Sequence, residues 1–331
     1  MNTLIEHDGV VPKESLQLSR RQIEATGGLT AGCITTLVTH PLDLIKIRLQ
    51  LSHSHPRGTS HRAFEPILNI FKKINEDALQ DFKKTQKLSG PSQLKKFRLT
   101  HLLRHYYRGI TPNLVGNISA WGLYFTLYSE FKSLEFTSNP SVNYFSSSTL
   151  AGMSTSLLTN PLWVLKTRIL GSSKNDSKAY KSIADGVVSI LRKEGVLSFW
   201  RGSIPSLFSV FQGSLQFTFY DNYKNFISKR YETEQLTTAQ YIYGSAFSKI
   251  FSMLIMYPTQ VVRSILQNYQ GDSKQERTIR SVARHLWKED GPRGFYKGLS
   301  ANILRVVPAT CVTFVVYETV RDNLRKYETR E

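Results

Sequence analysis

Two bases stand alone in long stretches otherwise free of charge. Arg305, between Leu304 and Val306, is the single Asp, Glu, Lys or Arg from Gly298 to Tyr317, and Lys249 is the single one from Gln235 to Val262. An arginine in an apolar helix is costly unless it is paired or wetted. Its planar fork of donors suits a carboxylate or a phosphate. Arg305 is therefore the first candidate for holding an anionic solute, and Lys249 the second. Asn117, Gln212 and Gln216 offer hydrogen bonds nearby, while Trp121, Tyr124 and Phe208 can stack on a planar ring. The uncharged stretches hold no acid, which disfavours a cationic solute. The expected solute is bulky, flat and anionic.

Other charges recur at fixed intervals. Pro41, Pro161 and Pro258 each open the same pattern, with Asp43 and Lys46, Trp163 and Lys166, and Gln260 and Arg263 at the second and fifth positions after the proline. Positions three apart share one helix face. A proline inside a helix removes a hydrogen bond and kinks it, so three equivalent kinks would draw three helix ends together at one mouth. In such a ring Asp43 can pair with Lys166, Gln260 can accept from Lys46, and Trp163 can lie against Arg263 as a cation–π contact. A later pattern gives Lys132 to meet Asp221 and Lys224 to meet Glu318, with Ser129 where an acid would have met Arg321. Two breakable networks at opposite ends of a cavity are the parts of alternating access.

The chemistry of an enzyme is not evident. His53, His55 and His61 lie in a Ser/His/Pro/Gly-rich loop and read as solvated rather than as a metal site. Cys33 and Cys311 each sit alone in an apolar stretch and read as packing residues. His40 precedes Pro41 and can add to the ring. There is no glycine-rich phosphate loop, which disfavours ATP-driven pumping.

The elements that position these residues follow from the distribution of charge. Four windows have no charged residue: Glu24 to Asp43, Arg108 to Glu130, Glu135 to Lys166 and Arg201 to Asp221. With the two interrupted by Lys249 and Arg305 they make six candidate spans of roughly the 20 residues a membrane helix needs. Three triplets, Tyr107-Arg108-Gly109, Trp200-Arg201-Gly202 and Tyr296-Lys297-Gly298, follow the prolines after 68, 41 and 40 residues from proline to glycine. The 331 residues are thus three units of two spans each: 20–135, 139–230 and 236–327, the first with an insertion at about 77–101 that reads as solvated. Amphipathic segments at Tyr180 to Leu191 and Thr278 to Trp287 fit short helices at a membrane interface. A net charge of +18 would suit nucleic acid, but the charge lies outside the windows, and a duplex-binding stripe does not need six of them. The acidic first residues are neither a secretory signal nor a cleaved presequence.

The triplicated proline motif, the aromatic–base–glycine triplet and the closing aromatic–acid motif resemble the mitochondrial carrier family over about residues 20 to 327. The resemblance implies an all-α membrane protein of six transmembrane helices, three tandem repeats with three-fold pseudosymmetry and short interfacial matrix helices. It implies a functional monomer in the mitochondrial inner membrane with both termini toward the intermembrane space. The proline motifs (Asp43, Lys46, Trp163, Lys166, Gln260, Arg263) would form the matrix gate. Lys132, Asp221, Lys224, Glu318 and Arg321 would form the cytoplasmic gate. Arg108, Gly109, Arg201, Gly202, Lys297 and Gly298 resemble cardiolipin-binding segments, and Gly28-x-x-x-Gly32 resembles a small-residue helix contact. The family's contact sites, about seven residues past each triplet, fall on Gly116 and Asn117, Phe208 and Ser209, and Arg305.

Trp163 and Gln260 in place of acids resemble the branch that carries FAD, folate, NAD and pyrimidine nucleotides. Thr39 to Leu44, Ala120-Trp121-Gly122, Gln212-Gly213, Lys249 and the run from Lys297 to Asn302 with Arg305 are similar to FAD transporters of fungal mitochondria. FAD is the expected solute, as substrate and not as cofactor, with folate, NAD or a pyrimidine nucleotide as the alternative.

Overall fold

The computed structural model describes residues 20–52, 64–86, 94–137, 139–173, 179–180, 182–231, 237–269 and 278–325. His53, His55 and His61 lie outside them. The described residues form helices joined by short turns. In chain order these are α1 (Arg20–Leu51), α2 (Glu65–Gln86), α3 (Leu94–Tyr106), α4 (Ile110–Ser133), α5 (Pro140–Gly171), α6 (Ile183–Glu194), α7 (Ser203–Phe208), α8 (Phe211–Tyr231), α9 (Thr238–Asn268), α10 (Ile279–Asp290) and α11 (Leu299–Leu324). Two 3-10 turns, Val196–Trp200 and Gly291–Tyr296, lead into α7 and α11.

The long helices give six spans, because α7 and α8 together make one. The interruption falls at Ser209 and Val210, inside the uncharged window, so this span is broken where the sequence pattern runs on. Pro41, Pro161 and Pro258 lie inside α1, α5 and α9, which stay helical through them. The second span of each repeat packs along the first span of the next: α4 on α5, α8 on α9, α11 on α1. The α1–α11 seam is tightest where Gly27 faces Tyr317, whose ring would lie 3.3 Å from an added Cβ. At Gly28 and Gly32 an added Cβ would meet nothing within 4 Å, so the close contact is one residue away from the expected small-residue pair. Thr35 and Thr313 share a hydrogen bond across the same seam at 2.8 Å.

By length and hydropathy alone one stretch, within Ile279–Leu324, passes as a membrane span, with a mean hydropathy of 1.7. The others average lower because their inward faces carry Thr, Asn, Gln and Ser. Their outward character is clear in the large apolar side chains left exposed: Ile242 (63 %), Phe247 (56 %), Val307 (67 %) and Phe314 (62 %). A fold dissolved in water does not leave that much apolar surface bare.

Short helices α6 and α10 start on side-chain caps, Ser182 accepting from the Asp185 amide and Thr278 from the Ser281 amide. Each buries two positions four apart, Gly186 and Ile190 in α6, Val282 and Leu286 in α10. The equivalent α2 runs 22 residues against 12 for each of those. The insertion is therefore no solvated loop over its described part: it prolongs α2 and adds α3, which packs back on it. Ile67, Ile74, Ala78 and Phe82 form the buried stripe of α2, and His105 of α3 faces Asp81 at 3.3 Å.

Candidate functional site

The site is assembled at the proline end, where three first spans meet three triplets. The residue before each proline does the same work with a different side chain. His40 Nε2 donates to the Arg108 carbonyl at 3.0 Å, Asn160 Nδ2 to the Arg201 carbonyl at 3.1 Å, and the Tyr257 hydroxyl to the Lys297 carbonyl at 3.0 Å. His40 Nδ1 accepts from Asn113 at 3.0 Å, so the ring is neutral with its proton on Nε2. Pro161 frees the carbonyl four residues back, and the Trp200 indole donates to that Leu157 carbonyl at 3.1 Å. The sequence reading missed these donors: each is the residue before a proline, but no residue type repeats.

The triplet bases close the ring between repeats. Arg108 Nε donates to the Ile169 carbonyl (3.1 Å) near the end of α5, Arg201 to the Tyr269 carbonyl (2.9 Å) beyond α9, and Lys297 to the Ser52 carbonyl (3.0 Å) beyond α1. Each base thus satisfies the carbonyl end of the next repeat's first helix, where positive charge is favoured. Glu194 joins fully buried Arg168 and Arg201, and Asp290 pairs with Lys297 at 2.7 Å. These side chains, expected at lipid phosphate, are therefore engaged within the protein. The glycines beside them, Gly109, Gly202 and Gly298, take φ near +77° as helix N-caps without a side-chain cap: 76°, 78° and 78°. Gly202 lets the Arg263 carbonyl within 3.1 Å of where a Cβ would stand, and Gly298 the Lys46 carbonyl within 3.0 Å.

Inside this collar lies the charged floor. Asp43 is paired with Arg305, Nε to Oδ1 at 3.2 Å, rather than with Lys166. The Nε–H does not point along that contact, so it is an ion pair without a hydrogen bond. Asn113 donates to the other Asp43 oxygen at 3.3 Å. Lys46 donates to Gln260 at 3.4 Å, and Gln260 in turn to Gln212 at 3.1 Å. Both Lys166 and Arg263 lie over the Trp163 ring, at 4.9 and 5.7 Å from a ring centroid. The sequence pattern did not foresee that Arg305 would reach the floor, because it lies on the second span of another repeat.

Above the floor a cavity of about 950 Å³ opens between α4, α5 and α8. Trp163 and Arg263 line its lower end, Trp121 and Tyr124 one wall, Ser209 the helix break, and Asp221 the far end. The two wall rings meet edge to face at 6.2 Å. Other candidates fall elsewhere. Gly116 is buried with Trp163 packed on it at 3.7 Å, Asn117 donates to Thr36 and Asn113, and Phe208 is 53 % exposed and outside the cavity lining. Lys249 is half-buried, and its position in repeat two is Gly152, a cavity residue. Cys311 is exposed rather than packed.

At the opposite mouth the expected pairs are not made among the described residues. Lys132, Asp221, Lys224 and Glu318 are exposed. Lys132 lies over the Tyr144 ring at 4.9 Å, and Arg321 contacts neighbouring Asp322 at 3.2 Å and its own helix's Tyr317 ring. One end of the bundle is drawn shut and the other is not.

Comparison with known proteins accords with this geometry. The family model described as mitochondrial carrier protein matches three times, at residues 22–139, 137–231 and 234–328. The chain is 36 % identical to the mitochondrial FAD carrier protein FLX1 of Saccharomyces cerevisiae, over 92 % of this chain and 97 % of that protein. It is 31 % identical to the chloroplastic folate transporter 1 of Arabidopsis thaliana, over 92 % and 96 %. It is 29 % identical to the chloroplastic nicotinamide adenine dinucleotide transporter 1 of the same plant, over 89 % and 90 %. Three matched repeats, six spans and a charged floor lead to one conclusion: the chain belongs to the mitochondrial carrier family, and is a transporter rather than an enzyme.

Proposed function

We propose that the protein carries FAD across the mitochondrial inner membrane by alternating access. The observation that carries this reading is the cavity, which ends on Arg263 and Trp163 and has Trp121 and Tyr124 on its wall. It offers a base to a phosphate and aromatic faces to a flat ring. Likeness to a yeast FAD carrier supports the choice of FAD. Arg305 and Lys249 attract the anion, while Asn117, Gln212 and Ser209 supply hydrogen bonds.

In this reading the floor is the matrix gate, with both termini toward the intermembrane space. Loading takes place from the open mouth. Opening toward the matrix breaks Asp43–Arg305, Lys46–Gln260 and the contacts to Trp163. Closing the other mouth brings Lys132 to Asp221 and Lys224 to Glu318. The protein works as a monomer. Cardiolipin phosphates bind the uncapped amides beside Gly109, Gly202 and Gly298, since helix N-termini favour anions. Folate is the second reading, favoured by the likeness to a folate transporter.

Uptake of labelled FAD by liposomes containing the purified chain tests the proposal. Saturable, protein-dependent uptake is expected; uptake no faster than in protein-free liposomes overturns it.

A further inference from the structure

The floor holds more positive charge than its closure requires. Lys46, Lys166, Arg263 and Arg305 gather there around one acid, Asp43, and these five charges are near enough to act on one another. Asp43 is only 13 % exposed and is occupied by Arg305. Among the described residues no carboxylate forms an ion pair with Lys46, Lys166 or Arg263: Lys46 is held by a neutral amide, the other two by one tryptophan ring. The two repeats that put Trp163 and Gln260 where the first has Asp43 leave the ring short of acid. Half-buried like charges repel at low effective dielectric, and π or amide contacts do not cancel that repulsion.

The uncompensated charge faces the cavity. Of the residues lining the cavity, Arg263 is the base, and the acid, Asp221, lies at the other end. Trp163, which carries both Lys166 and Arg263, also lines it. Trp163 packs on Gly116 of α4. Trp121 and Tyr124 lie five and eight residues further along that helix, about 8 to 12 Å away at the helical rise. That span suits a solute with a compact anionic part joined to a planar ring.

We propose that the floor is itself an anion subsite: Arg263 and Lys166, held against Trp163, together with Arg305 receive a diphosphate, which supplies the counter-charge the floor lacks. Arg305 has one guanidinium to share between Asp43 and the incoming anion, so binding loosens the ion pair that holds the gate. The inference deepens the FAD reading and rests on it only for the identity of the solute; the chemistry it needs is the phosphoanhydride group.

Inorganic pyrophosphate is the probe, and thermal unfolding of the purified full chain the readout. Pyrophosphate should raise the melting temperature of the wild type. Gln260→Glu places an internal carboxylate beside Lys46. It should melt higher without ligand and bind pyrophosphate roughly tenfold more weakly, the equivalent of about 1.4 kcal/mol. Arg263→Gln should also weaken binding, and its ligand-free melting curve reports whether it folds. No pyrophosphate shift in the wild type, or a shift with unchanged affinity in Gln260→Glu, overturns the subsite. The FAD uptake assay is independent of this: uptake without a Gln260-sensitive pyrophosphate shift refutes the subsite alone, and the shift without FAD uptake refutes the FAD reading alone.

Discussion

Replacing Arg305 with glutamine removes two interactions of different worth. The first is the ion pair with Asp43. Its partners are 30 % and 13 % exposed, the contact is not a hydrogen bond, and Lys46 and Lys166 remain near the carboxylate. Loss of this pair should cost about 1 kcal/mol of stability rather than the larger figure for an isolated buried pair. The second is the bond to an anionic solute. A hydrogen bond to a charged group contributes about 2 to 3 kcal/mol, which corresponds to roughly a 30- to 150-fold loss in transport efficiency. The assay is the initial rate of FAD uptake in liposomes, normalised to inserted protein. A double variant separates the two effects. If Arg305 served only to neutralise Asp43, Asp43→Asn would restore transport in the Arg305→Gln background. We expect the double variant to stay as slow as Arg305→Gln alone. Restoration to within a few-fold of wild type, or near-normal uptake by Arg305→Gln itself, would refute the reasoning.

Gly202→Ala and Gly298→Ala should each cost about 1 to 3 kcal/mol, since φ is +78° at both and a Cβ would crowd a carbonyl of the neighbouring repeat. Gly213→Ala, with open space around it, should melt at or slightly above wild type; equal melting of all three would contradict the packing described. Tyr257→Phe removes the hydroxyl that donates to the Lys297 carbonyl and accepts from Gln50 at 3.3 Å, and should cost about 1 to 2 kcal/mol in the same melting assay. An unchanged melting curve would show that this junction does not bear load. Alkaline carbonate should leave the chain in the membrane pellet, and its release to the supernatant would contradict six spans.

Much of this architecture was legible because it is written three times. Pro41, Pro161 and Pro258 and their triplets mark the ends of the spans, and the uncharged windows mark their bodies. What escaped has physical causes. The stretch from Asp77 to His101 looked solvated because Lys, Gln and Ser dominate it, yet lysine and glutamine are good helix formers, and Ile74, Ala78 and Phe82 give α2 a face to bury. The donors His40, Asn160 and Tyr257 escaped because hydrogen bonding constrains a donor and its reach, not a residue type. The glycine contact slipped from Gly28 to Gly27 because helix rotation decides which face meets α11. The partner of Asp43 escaped because charge matching within the motif pointed to Lys166, whereas packing brings α11 across the ring and delivers Arg305 first. The cytoplasmic pairs describe a state in which that mouth is shut, and in this structure it is not.

The most direct test of the account compares initial rates of uptake of labelled FAD, folate and NAD by one preparation of the purified chain in liposomes. FAD should be taken up with the highest kcat/KM, and unlabelled FAD should suppress uptake of the other two. Folate outcompeting FAD would contradict the account.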